Sequence, residues 1–289
     1  MQSLIFDHRI GFTCIIKMKK ALLIALWFLA STALWSQTDS CLHTIKKHSI
    51  KSAYLETERA HWVSLPMNYD SAKSYPVLYV LDAEWRFDLI RNIAYDMAGN
   101  KKIPGHIVVG LPHIEMEYRR GIDLTFSHSR IEYDGEAVDS TWYNAQNSGG
   151  AFLYYQYLVK ELVPDIEDQY SCNGQNVLIG HSYGGYFAGY LLSLEHPFSA
   201  LQIYDPSIWY SNGEVIERIE QARLTKPVHV FVSYQPVPTF HSSKIERFIK
   251  VLRRQKQLSV VLKKYRTETH NSLFMYSFLE GMEALYSEK

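Results

Sequence analysis

Gly180-His181-Ser182-Tyr183-Gly184 spells G-x-S-x-G, a spacing suited to nucleophilic chemistry. The apolar run Val177-Leu178-Ile179 leads straight into it, and a helical pattern follows from Gly185. Strand, sharp turn and helix make a nucleophile elbow. Its glycines permit a strained serine backbone and lift the hydroxyl above the sheet. A bystander serine in a Gly-rich turn is the bland alternative, which the strand–turn–helix context disfavours. A serine hydroxyl needs a base to take its proton. Around such an elbow the base follows the last strand. Residues 258–265 read as that strand, and Thr269-His270-Asn271-Ser272 comes after it. His270 is therefore the candidate base, singled out by position from twelve histidines. His181 reads as a packing residue at the elbow. His113, Glu115 and Glu117 lie close together but have no recognised ligand spacing, so they read as loop. Neither a metal nor any other cofactor is expected.

The elements that must position these residues follow from periodicity. His61-Trp62-Val63-Ser64-Leu65 alternates up to Pro66 and reads as a strand. Val77–Leu81, His106–Gly110, Asn176–Ile179, Leu201–Tyr204, Val228–Val232 and Ser259–Leu262 are short, mostly apolar runs, as in strands buried on both faces. Between them, Phe152, Tyr155, Leu158, Val159, Leu162 and Ile166 share a helical face. Phe187, Tyr190, Leu191 and Leu194 form a second stripe, Ile245, Phe248, Ile249 and Leu252 a third, and residues 274–285 a last. Strand–helix alternation of this kind implies an α/β fold, a mostly parallel central sheet with helices on both faces. Segment 111–150 has no clear period and reads as a surface loop or as a cap over a site. Its Phe126, Trp142 and Tyr143 are candidates for an aromatic pocket or for core.

Composition narrows the classes. The chain has 289 residues, 14% aromatic and 47% hydrophobic, which excludes disorder as its main state. Thirty Lys+Arg balance thirty Asp+Glu, so no nucleic-acid partner is expected. Met18-Lys19-Lys20, a ten-residue apolar run over 21–30 and a small, polar stretch to Ser36 have the three parts of an export signal. The apolar run is shorter than the ~20 residues a membrane span takes, so no stable membrane insertion is expected. The reading is an extension and signal over 1–36, with the start at Met18, and one domain over 37–289, exported to the periplasm or the medium. Cys41 and Cys172 would remain, either paired or as two thiols.

Several ordered segments resemble the putative-esterase branch of the α/β-hydrolases, which includes esterase D-like, siderophore and feruloyl esterases. Tyr75-Pro76-Val77-Leu78-Tyr79-Val80-Leu81-Asp82 is similar to its YPVLYLLDG segment, with Ala83 in place of Gly. Arg120 and Asp123-Leu124-Thr125 resemble R-x-x-D-L-T-P, Asp205-Pro206-Ser207-Ile208-Trp209 resembles SPSLW, and Glu268, His270 and Ser272 match E-x-H-x-S. The resemblance runs from about His48 to Leu285. It implies hydrolysis of a small-molecule carboxylic ester, of siderophore type or another acyl ester, through an acyl-enzyme on Ser182. It also implies an oxyanion hole at the backbone N–H groups of Tyr183 and Glu84, the Glu84 side chain facing solvent or substrate. Arg120 or Arg86 would meet an anionic ligand, unless each is held in an ordinary salt bridge.

The acid that orients the base normally follows the strand ending here near Val232. Residues 233–244 contain no carboxylate. Glu246 falls within a helix pattern, and Glu268 lies only two residues before His270. Asp205, where the family motif usually has Ser, ends a strand at the nucleophile's edge of the sheet and is the candidate acid. A Ser–His dyad is its alternative. A binding protein that keeps the fold without catalysis is the alternative function, to be separated from an esterase by turnover of a chromogenic ester.

Overall fold

The computed structural model describes residues 45–113 and 116–287, the compact unit being Ile45–Lys289. The expectations for the export signal, the start at Met18 and Cys41 lie outside the described residues. Cys172 is a free, half-buried thiol whose pKa burial raises to about 11.

Eight strands form one sheet: β1 Ile45–Lys51, β2 Glu58–Ser64, β3 Tyr75–Leu81, β4 Ile107–Leu111, β5 Cys172–His181, β6 Phe198–Tyr204, β7 Val228–Tyr234 and β8 Leu258–Lys264. They lie in the order β1-β2-β4-β3-β5-β6-β7-β8. The first two are antiparallel and the remaining six parallel. The continuous apolar runs are parallel strands, because a sheet covered on both faces tolerates no polar side; the run at Ser259–Leu262 departs from this, since β8 is an edge strand, only partly buried, with Val261 exposed. Val77, Leu78, Tyr79 and Val80 are all fully buried. Alternate residues face opposite layers. Val77, Tyr79 and Leu81 join one core, and Leu78 and Val80 the other.

Helix α1 (Ala83–Gly99) and the C-terminal α8 (Leu273–Tyr286) cover one face through Phe87, Ile90, Met97, Phe274, Phe278 and Met282. The other face carries α3 (Ala151–Tyr157), α4 (Val163–Gln169), α5 (Tyr183–Leu191), α6 (Glu214–Gln221) and α7 (Thr239–Leu252). Helices α3 and α4 are joined by a π-helical turn, Leu158–Leu162. Its wider i→i+5 bonding re-phases the apolar stripe. The sequence places Phe152 on the buried face, yet it is 54% exposed and Tyr154 takes the core position. Helices α1 and α6 are absent from the sequence reading. In segment 111–150 the structure forms a helix, α2 (Met116–Leu124), followed by a loop pinned by the Ile131–Ala137 bridge. Among the described residues no helix is long and apolar enough to cross a membrane.

Six parallel strands point their carboxyl ends to one edge. An open α/β sheet places ligands at that edge, because the loops there are free to carry polar groups. Ser182, Asp205 and the His270 loop all follow strand ends at this edge.

Candidate active site

The elbow forms because β5 must turn into α5 within one residue. Ser182 sits at φ 59°, ψ −119°, a strained conformation for a residue with a side chain. A Cβ on Gly180 would lie 2.1 Å from the Gly184 carbonyl oxygen, and one on Gly185 would lie 3.0 Å from Pro206. Both positions therefore need glycine. The Ser182 amide donates to the Tyr204 carbonyl at 3.0 Å, and the Ser207 amide donates to the Ser182 carbonyl at 3.0 Å. The Ser182 hydroxyl lies 3.4 Å from that of Ser207.

Asp205 ends β6 and is fully buried. Its Oδ2 accepts from His270 Nδ1 at 2.7 Å. Its Oδ1 accepts from His241 Nε2 at 3.1 Å and from the Gln235 amide at 3.1 Å. Burial alone would raise the carboxyl pKa, but the hydrogen bonds from the two histidines hold it at about 2. Ser182, Ser207, His241 and His270 line one open cavity of about 370 Å³, walled also by Arg120, Tyr133, Tyr183 and Trp209. The structure thus brings Ser182, His270 and Asp205 to one place. Glu246 instead bonds Tyr234 and Lys264, and Glu268 bonds Ser272.

His181 does more than pack. Its Nε2 donates to the His270 carbonyl at 2.6 Å, and the two rings lie 4.3 Å apart. Burial, with the neighbouring His270 and Arg86, lowers its pKa to about 3, so it is neutral. Of the aromatics from segment 111–150, Phe126 stacks on Tyr190 at 3.7 Å in the core, and Trp142 is exposed. Tyr143 packs edge-on to Tyr210. The segment's contribution to the cavity wall is Arg120 and Tyr133.

Tyr183 and Glu84 both lie in the first turn of a helix, where leading amides have no acceptor within the helix. Their strands, β5 and β3, are parallel neighbours, so the two turns adjoin. The Glu84 side chain departs from the sequence expectation. It is half-buried, one oxygen accepts from the His113 amide, and the other is buried without a partner. Burial raises its pKa. Arg120 is held in a salt bridge. Its Nε and Nη2 donate to the two oxygens of Asp82 at 2.6 and 2.9 Å. Arg86 lies over the Phe274 ring at 4.2 Å and 3.5 Å from His181 Nδ1.

Behind this wall lies a buried charge network. His113, read from sequence as a loop residue, is 3% exposed. Its Nδ1 donates to Asp123 at 3.0 Å and its Nε2 lies 3.4 Å from Asp82. Arg59 pairs with Asp123 through both guanidinium ends. Burial alone would lower the His113 pKa, but the two carboxylates raise it to about 9. The folded value exceeds the ordinary 6.5, so this contribution to stability is full below about pH 6.5 and is lost as pH rises through about 9. We expect thermal stability to fall across that window by roughly 3 kcal/mol, and the slope to vanish in His113→Gln. A wild-type Tm that stays flat between those limits refutes the charged assignment.

The family model described as Putative esterase matches residues 52–199, which include the elbow but end before Asp205 and His270. Among solved structures, an IroE-like serine hydrolase from Shewanella oneidensis is 29% identical, with a TM-score of 0.75, over 84% of this chain and 80% of its own. BES protein from Bacillus cereus is 22% identical, with a TM-score of 0.70, over 86% and 97%. Siderophore hydrolase EstB from Aspergillus nidulans is 18% identical, with a TM-score of 0.69, over 84% and 95%. These last two likenesses concern the fold. No curated protein matches in sequence. With half of its length matched and its sheet built in this order, the chain belongs to the Putative esterase family and is an esterase of α/β-hydrolase fold.

Proposed function

We propose that the chain is an exported serine esterase that works through an acyl-enzyme on Ser182. The observation that carries this reading is the 2.7 Å contact of His270 Nδ1 with buried Asp205, with the ring on the same cavity wall as Ser182. That contact puts the proton on Nδ1 and leaves Nε2 as the base. Ser182 turns from Ser207 toward His270, gives up its proton and attacks the ester carbonyl. The oxyanion is met by the amides of Tyr183 and Glu84, where charge develops and fixed donors matter most. His270 then protonates the leaving alcohol, and activates the water that releases the acid. Asp205 stays ionised throughout and stabilises the imidazolium.

The cavity suits an ester with a flat acyl part, because Tyr133, Tyr183 and Trp209 are among its walls. Arg120 borders it with its charge already matched by Asp82, so it offers directed N–H groups more than a free cation. A siderophore-type ester is the candidate class, siderophore hydrolase EstB from Aspergillus nidulans sharing this fold. Labelling with a fluorophosphonate followed by peptide mapping tests the reading. One label per chain, on Ser182, is expected together with turnover of chromogenic esters; a label on another serine sinks it.

A further inference from the structure

The stretch after β7, through the first turn of α7, has no carboxylate, yet it supplies two donors to one. The Gln235 amide and His241 Nε2 both bond Asp205 Oδ1, at 3.1 Å each, and Oδ2 is left to His270. We propose that His241 is a positioning residue that fixes the rotation of the Asp205 carboxylate, so that Oδ2 always faces His270 Nδ1. The proposal rests on Asp205 being the acid of the reaction.

A carboxylate at the end of a strand rotates about its last bond unless both oxygens are held. Asp205 sits in an awkward backbone conformation, φ 37°, with its own amide bonded to the Ser233 carbonyl at 2.7 Å. Its main chain is thereby set, and the side-chain rotation is what remains. Two donors on Oδ1 settle that rotation, and charge-assisted bonds of this kind are about twice as strong as neutral ones. His241 is 4% exposed, at the first turn of α7, and its Nδ1 is buried without a partner. A bare Nδ1 assigns the proton to Nε2, the atom facing Asp205. An unpaired buried acceptor is unfavourable, and an apolar residue would fill the site without it. The bond to Asp205 is the return for that cost. The rings of His241 and His270 stand edge-on, with centroids 6.5 Å apart, so the two histidines approach the one carboxylate from different sides.

The test compares two amides that differ in reach. Gln at 241 can place a donor where Nε2 lies; Asn places its donor near the Nδ1 position, away from Asp205. With a chromogenic ester, His241→Gln is expected to keep kcat within about threefold. His241→Asn should lower kcat about 10- to 100-fold, the range for losing one hydrogen bond to a charged group, with KM changed less than threefold. In an Asp205→Asn background the same His241→Asn change should cost less than about threefold, because residues acting through one group are non-additive. Equal losses in Gln and Asn, or full additivity with Asp205→Asn, overturn the proposal while leaving Asp205 as the acid. If Asp205→Asn alone costs less than about tenfold instead of the roughly 10⁴-fold of a triad acid, the acid assignment fails and the proposal with it. Unfolding midpoints of each variant separate these outcomes from misfolding.

Discussion

Ser182→Ala is expected to lower ester turnover by about 10⁶-fold while the protein folds as before. The change deletes the atom we propose as the nucleophile. It keeps the bonds that shape the elbow, since the residue-182 amide and carbonyl are held by Tyr204 and Ser207 through the main chain. Alanine adopts the φ of 59° no worse than serine does, and Gly180 still gives Gly184 its room. The slow rate left over comes from binding and from the oxyanion amides, which the mutation does not touch. Chromogenic ester kinetics and fluorophosphonate labelling, with the unfolding midpoint as a control, read the result. Ser207 is the natural competitor, its hydroxyl 3.4 Å from that of Ser182. A Ser182→Ala protein that retains labelling and loses it only on further change of Ser207 moves the nucleophile to Ser207.

His270→Ala is expected to cost nearly as much, again about 10⁶-fold in kcat, because a serine without its base stays protonated. The site makes this variant clean. The loop is tied down by His181, which bonds the residue-270 carbonyl and not its ring, so alanine leaves that anchor in place. The ring is 39% exposed and contributes little to the core. The double variant Ser182→Ala, His270→Ala should be no slower than either single one, since the two groups act as a unit. Losses that multiply, or a His270→Ala enzyme with more than about one-hundredth of normal turnover, place the base elsewhere.

What could be read from the chain alone was whatever neighbours in sequence decide. The elbow is one such case. Gly180 lies four residues from the carbonyl its Cβ would strike, so a pentapeptide encodes the turn. The parallel strands are another, because burial on both faces demands unbroken runs such as Val77–Leu81. The position of His270 followed from chain order, given one elbow and one last strand. Helix α1 is legible too, since Phe87, Ile90, Ala94 and Met97 have helical spacing.

Tertiary structure decided the rest, and charge pairing was most of it. Asp205 is one of several carboxylates in the sequence; only the order β6-β7-β8 carries the loop after β8 back to it and sets His270 Nδ1 2.7 Å from its carboxylate. His241 had no signal, since a histidine in a helical first turn looks the same whether or not a carboxylate waits 36 residues upstream. Arg59, Asp123, His113 and Asp82 form one buried network from residues up to 64 apart. Arg120 gains Asp82 as its partner by the same folding, while still bordering the cavity. Periodicity reports which face of an element is buried, and it does so within a few residues. Which charges meet is fixed by the packing of distant elements, and burial then makes the pairing obligatory, because an unpaired charge in that interior costs several kcal/mol.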